Sequence, residues 1–189
     1  MSSFSTEDSV RDVELPSRVS VRGSRTPGKS CFVIGVGNPF MHDDGIGVEV
    51  ARSLRKLNLG RQVVVLERQV ADLSLLAYAK EASKLIIVDA AESGSPPGTI
   101  VRFAMDEPPA RRLRIRFSHE LGLSEFAALV TQSGMPLSSV TIVGVEPSDC
   151  GPGEGLSKPV ADALPTILKT VIGEIKGGAR QRAKPRVRP

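Results

Sequence analysis

Short apolar runs alternate along the chain with stretches whose apolar residues recur at helical spacing. The short runs predict five strands, over residues 31–36, 63–66, 84–88, 99–103 and 139–145. The helical spacing predicts helices over residues 46–56, 73–82 and 121–130, and a last helix that Ser157 caps and that carries Pro159 in its first turn. This order predicts an α/β fold, a three-layer sandwich with a mixed, twisted sheet of about five strands and helices on both faces.

Two connections carry further information. The segment A-A-E-S-G-S-P-P-G after the third strand is too short for a helical crossover, so the strand over residues 99–103 is expected to pair antiparallel or to lie at an edge. Residues 111–116 alternate Arg with Leu113 and Ile115, which is typical of a short extended segment. Its arginines could meet an acidic partner or water, and water is the preferred interpretation.

The composition divides the chain into a leader, a domain and a tail. Residues 1–29 have no repeating apolar face and are expected to form a flexible leader, and residues 30–175 are expected to form one domain. Residues 176–189 carry six Lys or Arg and no acid, so the net charge of +4 is mainly a C-terminal feature. This tail is expected to be disordered and solvated. A nucleic-acid tail is the weaker alternative, because the chain has no Trp and one Tyr for stacking on bases.

The cellular setting follows from three observations. Two cysteines, Cys31 and Cys150, do not make a disulfide framework. The N-terminus M-S-S-F-S-T-E-D has no apolar signal-peptide core, and no apolar stretch reaches the length of a membrane span. We therefore expect a cytoplasmic protein without nucleic-acid or membrane partners.

Candidate chemistry gathers at the ends of the predicted strands. Asp43 and Asp44 lie in the loop after the first strand, Asp89 follows four apolar residues at the end of the third, and His119 precedes the helix that leads to the fifth. Open α/β sheets keep their ligand sites at this edge. Oxygen and nitrogen donors without thiolate favour a divalent ion such as Zn, Ni or Mn. In isolation, Asp89 could instead cap a turn, and His119 could be a capping or packing residue.

Other site types find less support. The loop G-V-G-N-P-F lacks the third glycine of a dinucleotide-binding turn, and Asp43 and Asp44 would repel a pyrophosphate. The chain has neither a P-loop lysine nor a G-x-S-x-G nucleophile elbow. A Cys–His nucleophile stays open, because the sequence neither supports nor excludes it.

At V-I-G-V-G-N-P-F-M-H-D-D-G-I-G-V the chain resembles the hydrogenase maturation proteases, the endopeptidases that trim the C-terminal extension of the large subunit of nickel–iron hydrogenases. The resemblance continues through L-I-I-V-D-A, P-P-G-T-I, F-S-H-E-L-G-L, V-T-I-V-G-V-E-P and G-L-S, and covers residues 30–175. It implies a phosphorylase/hydrolase-like fold. Carried over by position, the metal-binding residues fall on Asp44, Asp89 and His119. Where some relatives have a glycine-rich turn after the second strand, this chain has Arg68 and Gln69, which bears on substrate choice.

The resemblance also implies a mechanism. The site would engage nickel that the precursor already carries, so nickel comes with the substrate, and a Zn or Cd ion could take its place in a crystal. Asp44 and Asp89 are the expected catalytic residues, and Gly37, Asn38 and Asp43 the expected substrate-binding residues. Asp43 is interpreted first as an acid at a helix N-terminus, and the general base is left open.

The expected partner of this protein, taken as a monomer, is the precursor of a hydrogenase large subunit. Two alternatives stand beside this interpretation. One is a metal- or ligand-binding maturation partner without peptidase activity. The other is a peptidase with a different protein substrate.

Overall fold

A computed structural model describes residues 30–69, 78, 82–107, 116–117 and 123–177. The strands are β1 (Ser30–Val36), β2 (Val63–Arg68), β3 (Ala82–Glu92), β4 (Ile100–Ala104), β5 (Arg116–Phe117) and β6 (Val140–Val145). The helices with described bounds are α1 (Ile46–Arg55), α2 (Leu123–Gln132) and α3 (Lys158–Gly177). Short 3-10 turns over His42–Gly45 and Leu137–Ser139 precede α1 and β6.

The sheet is mixed, as the sequence predicts. Its strand order is β2-β1-β3-β6-β4, and the two-residue β5 pairs separately with β3. β1, β2, β3 and β6 run parallel, whereas β4 is antiparallel to β6 and lies at the edge. Both expectations for the strand after the short connection are therefore confirmed.

Helices cover both faces of the sheet, so the three-layer prediction is confirmed. Val33, Ile86 and Val143 pack on one face with residues of α1 and α3. Ile34 and Leu85 pack on the other face with residues of α2. The alternation follows from the two-residue period of a strand. Each fully buried aliphatic side chain contributes about 1.5–3 kcal/mol through apolar burial.

Several element bounds differ from the sequence prediction. β3 is much longer than the apolar run at residues 84–88, because its last residues find partners: Ala90 pairs with β6, and Ala91 and Glu92 pair with β5. The predicted helix over residues 73–82 lies almost entirely outside the described residues, but Ala82 belongs to β3.

Other predicted segments are only partly described. The segment over residues 111–116 is described only at Arg116, the first residue of β5. The predicted leader lies outside the described residues, as does the tail beyond Gly177, where α3 ends. Within the part of the chain that the structure describes, no helix is both long and apolar enough to cross a membrane.

Candidate functional site at the carboxyl edge of the sheet

Three loops meet at one edge of the sheet. Loop A (residues 37–45) follows β1, loop B (residues 93–99) follows β3, and loop C (residues 146–157) follows β6. Because β1, β3 and β6 are parallel neighbours, their carboxyl ends lie at the same edge. The predicted site residues with described positions all lie in loop A or in the last part of β3.

Two glycines let α1 start directly on the strand ends. A Cβ atom at Gly47 would lie 2.1 Å from the carbonyl oxygen of Val36 and 2.3 Å from that of Val88. A Cβ atom at Gly35 would lie 1.9 Å from the carbonyl oxygen of Gly47. This close approach brings the turn that carries Asp44 to the end of β3, and the turn and β3 are in contact.

Asp44 is held inside loop A. Its side chain is 7 % exposed, and the backbone N–H of Asn38 donates to its Oδ2 at 2.8 Å. The loop can fold back this tightly because Gly37 adopts φ +144°, and a Cβ atom there would lie 1.9 Å from the carbonyl oxygen of Asp44. Gly37, one of the predicted substrate-binding residues, is therefore required by the local backbone, whatever else it does.

Asp89 lies within β3 and not at its tip. It pairs with Gly144 of β6, one position past Val88, the last residue of β3 that pairs with β1. The alternation of the strand puts Asp89 on the same face as Ile87 and Ala91, the face that packs against α2. The side chain is 2 % exposed. The predicted location at the carboxyl edge holds, but the predicted strand end after residue 88 is wrong.

His119 lies outside the described residues. The nearest described residues are those of β5, in which Phe117 pairs with Ala91. Within the described ranges no group of three potential metal-ligating side chains is gathered. The metal site formed by Asp44, Asp89 and His119 therefore stays a prediction.

Asp43 is the most completely enclosed acid of the site. Its side chain is 0 % exposed, and both carboxylate oxygens accept hydrogen bonds from loop C. Ser148 and Asp149 donate their backbone N–H groups to Oδ2 at 2.8 and 3.0 Å, and Ser157 donates its own to Oδ1 at 2.7 Å. Burial raises the pKa of Asp43, but the Ser157 hydroxyl and these N–H groups outweigh it, so the pKa is lowered.

Ser157 directly precedes α3, at the position predicted for a cap, but its hydroxyl does not cap the helix. The Ser157 carbonyl oxygen accepts the Ala161 N–H at 2.8 Å. The hydroxyl oxygen is buried close to the Asp43 carboxylate, yet it makes no hydrogen bond of regular geometry with a described residue. The backbone N–H of Ser157 is therefore the group that links α3 firmly to loop A.

Backbone hydrogen bonds join loops A and C as well. His42 N–H donates to the Gly153 carbonyl at 2.9 Å, and Gly153 N–H donates to the Phe40 carbonyl at 2.8 Å. Asp43 N–H donates to the Asp149 carbonyl at 2.9 Å. The His42 ring packs where a Cβ atom of Gly153 would be, 2.1 Å from Nε2. Loop A is thus held against loop C along its second half.

Glu146 is a site acid that the sequence analysis missed. It is buried, and its Oε2 accepts the backbone N–H of Ser93 at 2.7 Å and the Ser93 hydroxyl at 2.6 Å. Burial raises the pKa of Glu146, but hydrogen bonds from Ser93 and its neighbours in loop B lower it overall. The sequence offered a signal, because Glu146 follows an apolar strand directly, just as Asp89 follows Val88.

Neither cysteine is suited to act as a nucleophile. Burial and neighbouring negative charges raise the pKa of Cys150 to about 11, and burial raises the pKa of Cys31. The charges that act on Cys150 are those of Asp44, Asp43, Glu92 and Asp149. A thiol with so high a pKa stays protonated at neutral pH, which disfavours the Cys–His alternative.

Loops B and C border a cavity of about 360 Å³. Glu92, Glu146, Asp149 and Cys150 are among its lining residues. The carboxylates give this part of the edge a negative potential.

Arg68, the last residue of β2, donates to Tyr78 Oη, and its guanidinium lies over the Tyr78 ring, 5.1 Å from the centroid.

Known proteins resemble the chain in sequence. The profile of a family described as "Hydrogenase maturation protease" matches residues 48–174. The hydrogenase 2 maturation protease of Escherichia coli is 30 % identical over 147 residues, which cover 77 % of the chain and 90 % of that protein. The hydrogenase expression/formation protein HupD of Rhizobium leguminosarum bv. viciae is 27 % identical over 166 residues, covering 84 % and 81 %.

Solved structures resemble the fold. The hydrogenase maturating endopeptidase HybD from E. coli superposes with a TM-score of 0.68 at 29 % identity, covering 78 % of the chain and 92 % of that structure. The nickel–iron hydrogenase maturation protease HycI from Thermococcus kodakarensis has a TM-score of 0.61 at 20 % identity, covering 78 % and 93 %, which is a likeness of fold.

Proposed function

Because the chain belongs to the hydrogenase maturation protease family, and is thus a peptidase, we propose that it removes the C-terminal extension from the precursor of a nickel–iron hydrogenase large subunit. The observation that carries this proposal is the pair of buried acids at the carboxyl edge, Asp44 in loop A and Asp89 in β3. The partner is then the precursor itself. Its nickel is the feature that the enzyme recognises.

The donor chemistry of the site fits this role. Carboxylate oxygens and an imidazole nitrogen suit nickel, and equally zinc or cadmium as a substitute. His119 would supply the nitrogen: Phe117, two positions before it, pairs with Ala91, two positions after Asp89. Two residues of chain reach about 7 Å at most. This limit allows a site shared by Asp89 and His119, which stays a prediction.

Asp44 and Asp89 are the proposed catalytic residues of an aspartic-type endopeptidase. Both carboxylates are almost inaccessible to bulk water, so their interaction with a cation is only weakly screened. They would hold the nickel-bearing end of the precursor and fix the scissile bond beside it. Cleavage would follow only when nickel is in place, which makes trimming a checkpoint of metal insertion.

The proposed substrate-binding residues divide into two kinds. Gly37 and Asn38 line the fold of loop A around Asp44 and could meet the precursor there. Asp43 has no exposed surface, and its carboxylate is already bonded to loop C. Its contribution to substrate binding is therefore indirect.

We also propose that the protein works in the cytoplasm as a monomer. The two cysteines are unpaired, which fits a reducing compartment. Sedimentation equilibrium at micromolar concentration would test the monomer, and a stable dimer would contradict it.

Trimming of a nickel-loaded and a nickel-free large-subunit precursor tests the function. The C-terminus of each precursor is read by intact-protein mass spectrometry after incubation with the enzyme. Trimming of the loaded form alone is the expected result. Tight binding without trimming would instead support a maturation partner without peptidase activity. Equal trimming of the nickel-loaded and the nickel-free precursor would contradict the proposal that cleavage depends on nickel.

A further inference from the structure

The neighbouring aspartates Asp43 and Asp44 face different partners. Asp44 accepts the N–H of Asn38, within its own loop. Asp43 accepts three backbone N–H groups, all from residues of loop C. We propose that Asp43 is a positioning residue: it ties loop A to loop C and thereby fixes the Asp44 carboxylate for the reaction. This inference rests on the proposed function, in which Asp44 acts on the precursor.

The carboxylate of Asp43 matches its surroundings because it only accepts hydrogen bonds. The N–H groups of Ser148 and Asp149 converge on one oxygen and that of Ser157 on the other, all between 2.7 and 3.0 Å. Bonds to an ionised acceptor are about twice as strong as bonds between neutral groups. An asparagine would keep one such oxygen and turn an NH₂ group toward the N–H donors on the other side.

The hydrogen bonds between Asp43 and loop C affect Asp44 because one peptide unit joins the two residues. Both residues lie in the 3-10 turn His42–Gly45, and the Asp44 N–H donates to the Met41 carbonyl at 3.0 Å. On the other side of the turn, Gly37 packs against the Asp44 carbonyl. The turn is therefore clamped between loop C and the start of loop A. Loss of the Asp43 charge would loosen one side of this clamp.

The fold itself should survive that loss. The backbone bonds between His42 and Gly153, and between Gly153 and Phe40, do not involve the Asp43 side chain. They would keep loops A and C adjacent while the Asp44 carboxylate becomes less well placed. The expected signature is a loss in kcat larger than the change in KM.

The test compares Asp43→Asn with Asp162→Asn in the full-length chain. Asp162 is a matched control, because it is an exposed aspartate of α3 whose partner is Lys158. The substrate is the nickel-loaded large-subunit precursor, and both kcat and KM are measured. We expect Asp43→Asn to lower kcat by about tenfold to a hundredfold, with KM changed by less than about threefold, and Asp162→Asn to behave as wild type.

Amide hydrogen exchange provides a readout that does not depend on cleavage. In Asp43→Asn, we expect faster exchange at Ser148, Asp149 and Ser157, which have lost their charged acceptor. We also expect faster exchange at Asn38, because its N–H reports on the Asp44 carboxylate. Wild-type kcat in folded Asp43→Asn, or unchanged exchange at Asn38, would overturn the proposal.

Two further experiments apply if Asp43→Asn does not fold or if the wild-type enzyme is inactive. If Asp43→Asn does not fold, Ser157→Pro removes the backbone N–H that Asp43 accepts, together with the neighbouring hydroxyl. Wild-type kcat and Asn38 exchange in that variant would overturn the proposal. If wild-type enzyme trims no precursor, the proposed function fails. The exchange at Asn38 then still decides whether Asp43 fixes Asp44.

Discussion

Asp43 of loop A and Glu146 of loop C are two buried acids that do similar structural work. Each accepts backbone N–H groups from another loop, and in each the hydrogen bonds outweigh burial and lower the pKa. They differ in what lies beside them. Asp43 precedes the site acid Asp44, whereas Glu146 ties Ser93 of loop B to the end of β6. The same kind of hydrogen bonding therefore supports the proposed catalytic residue Asp44 in one place and the rim of a cavity in the other.

The largest effect should come from an acid that belongs to the site itself. Asp89→Asn keeps the shape of the side chain and removes its charge, so we expect trimming of the nickel-loaded precursor to fall by about a hundredfold or more. His119→Ala should act similarly. Circular dichroism should report a folded protein in both cases. Full activity in either variant would place the site elsewhere.

Gly47→Ala should cause the largest loss of stability. It would distinguish damage to the packing of α1 on the strand ends from loss of the hydrogen bonds that Asp43 and Glu146 accept. The new methyl group would meet the backbone carbonyls of Val36 and Val88, which cannot move without disturbing the sheet. Overpacking of this kind costs about 1–3 kcal/mol of unfolding free energy or more. Urea denaturation measures it.

Gly173→Ala is the matched control, because Gly173 lies in α3 with open space where its Cβ atom would be. It should raise the free energy of unfolding by about 0.5–1 kcal/mol, as expected for replacing a helical glycine. Equal changes in the free energy of unfolding in Gly47→Ala and Gly173→Ala would argue against close packing of α1 on the strand ends.

Glu146→Gln would show whether the hydrogen bonds of Glu146 matter for stability alone. It removes the ionised acceptor of the Ser93 N–H and hydroxyl, at a cost of about 1–3 kcal/mol of unfolding free energy. Because no proposed catalytic acid is next to Glu146 in the chain, kcat should fall much less than in Asp43→Asn. A loss of kcat as large as that of Asp43→Asn would contradict the difference in role that we infer between Asp43 and Glu146.

Low pH should weaken the hydrogen bonds that the Asp43 and Glu146 carboxylates accept. The folded-state pKa of Asp43 and that of Glu146 are below their ordinary values of 3.8 and 4.5. Their contribution to stability is therefore complete above those values and is lost as pH falls through the lower folded-state pKa. Urea denaturation between pH 7 and pH 3 should show this loss.

The double variant Asp43→Asn/Glu146→Gln should have a shallower dependence of unfolding free energy on pH. The dependence should not vanish, because the pKa of Glu174 is also lowered: burial raises it, and hydrogen bonds from Arg102 and Lys84 more than offset that. An unchanged slope of unfolding free energy against pH in the double variant would show that neither Asp43 nor Glu146 contributes to this dependence.

The smallest effect is expected at the tip of loop A. Phe40 is 61 % exposed, so Phe40→Ser should change the free energy of unfolding by less than about 0.5 kcal/mol. A large loss would mean that the ring packs against a part of the protein that its exposure does not reveal. Thermal unfolding suffices as the measurement.

The fold was readable from the sequence where apolar pattern alone decides it. The runs at residues 31–36 and 139–145 mark buried parallel strands by their continuous apolar character. The end of β3 was not readable, because Asp89, Ala90, Ala91 and Glu92 are strand residues only by virtue of pairing with β5 and β6. Tertiary pairing there overrides local preference.

For the candidate site, the sequence predicted that Asp44 and Asp89 lie at the carboxyl edge of the sheet, but it did not indicate Glu146. An aspartate after an apolar run marks a strand end at the ligand edge, which led to Asp89. The tie at Asp43 has no such mark, since its donors are backbone N–H groups of residues 105 to 114 positions away. Every residue except proline carries an N–H group, so no pattern in loop C could have indicated this role.

The most direct test of the proposed metal site is a crystal structure of the protein with bound Cd²⁺, read by anomalous scattering. We expect one ion that takes an oxygen of Asp44 and an oxygen of Asp89, with His119 as its nitrogen ligand. An ion bound instead at Glu92 and Asp149, or carboxylates of Asp44 and Asp89 too far apart to share a cation, would contradict it.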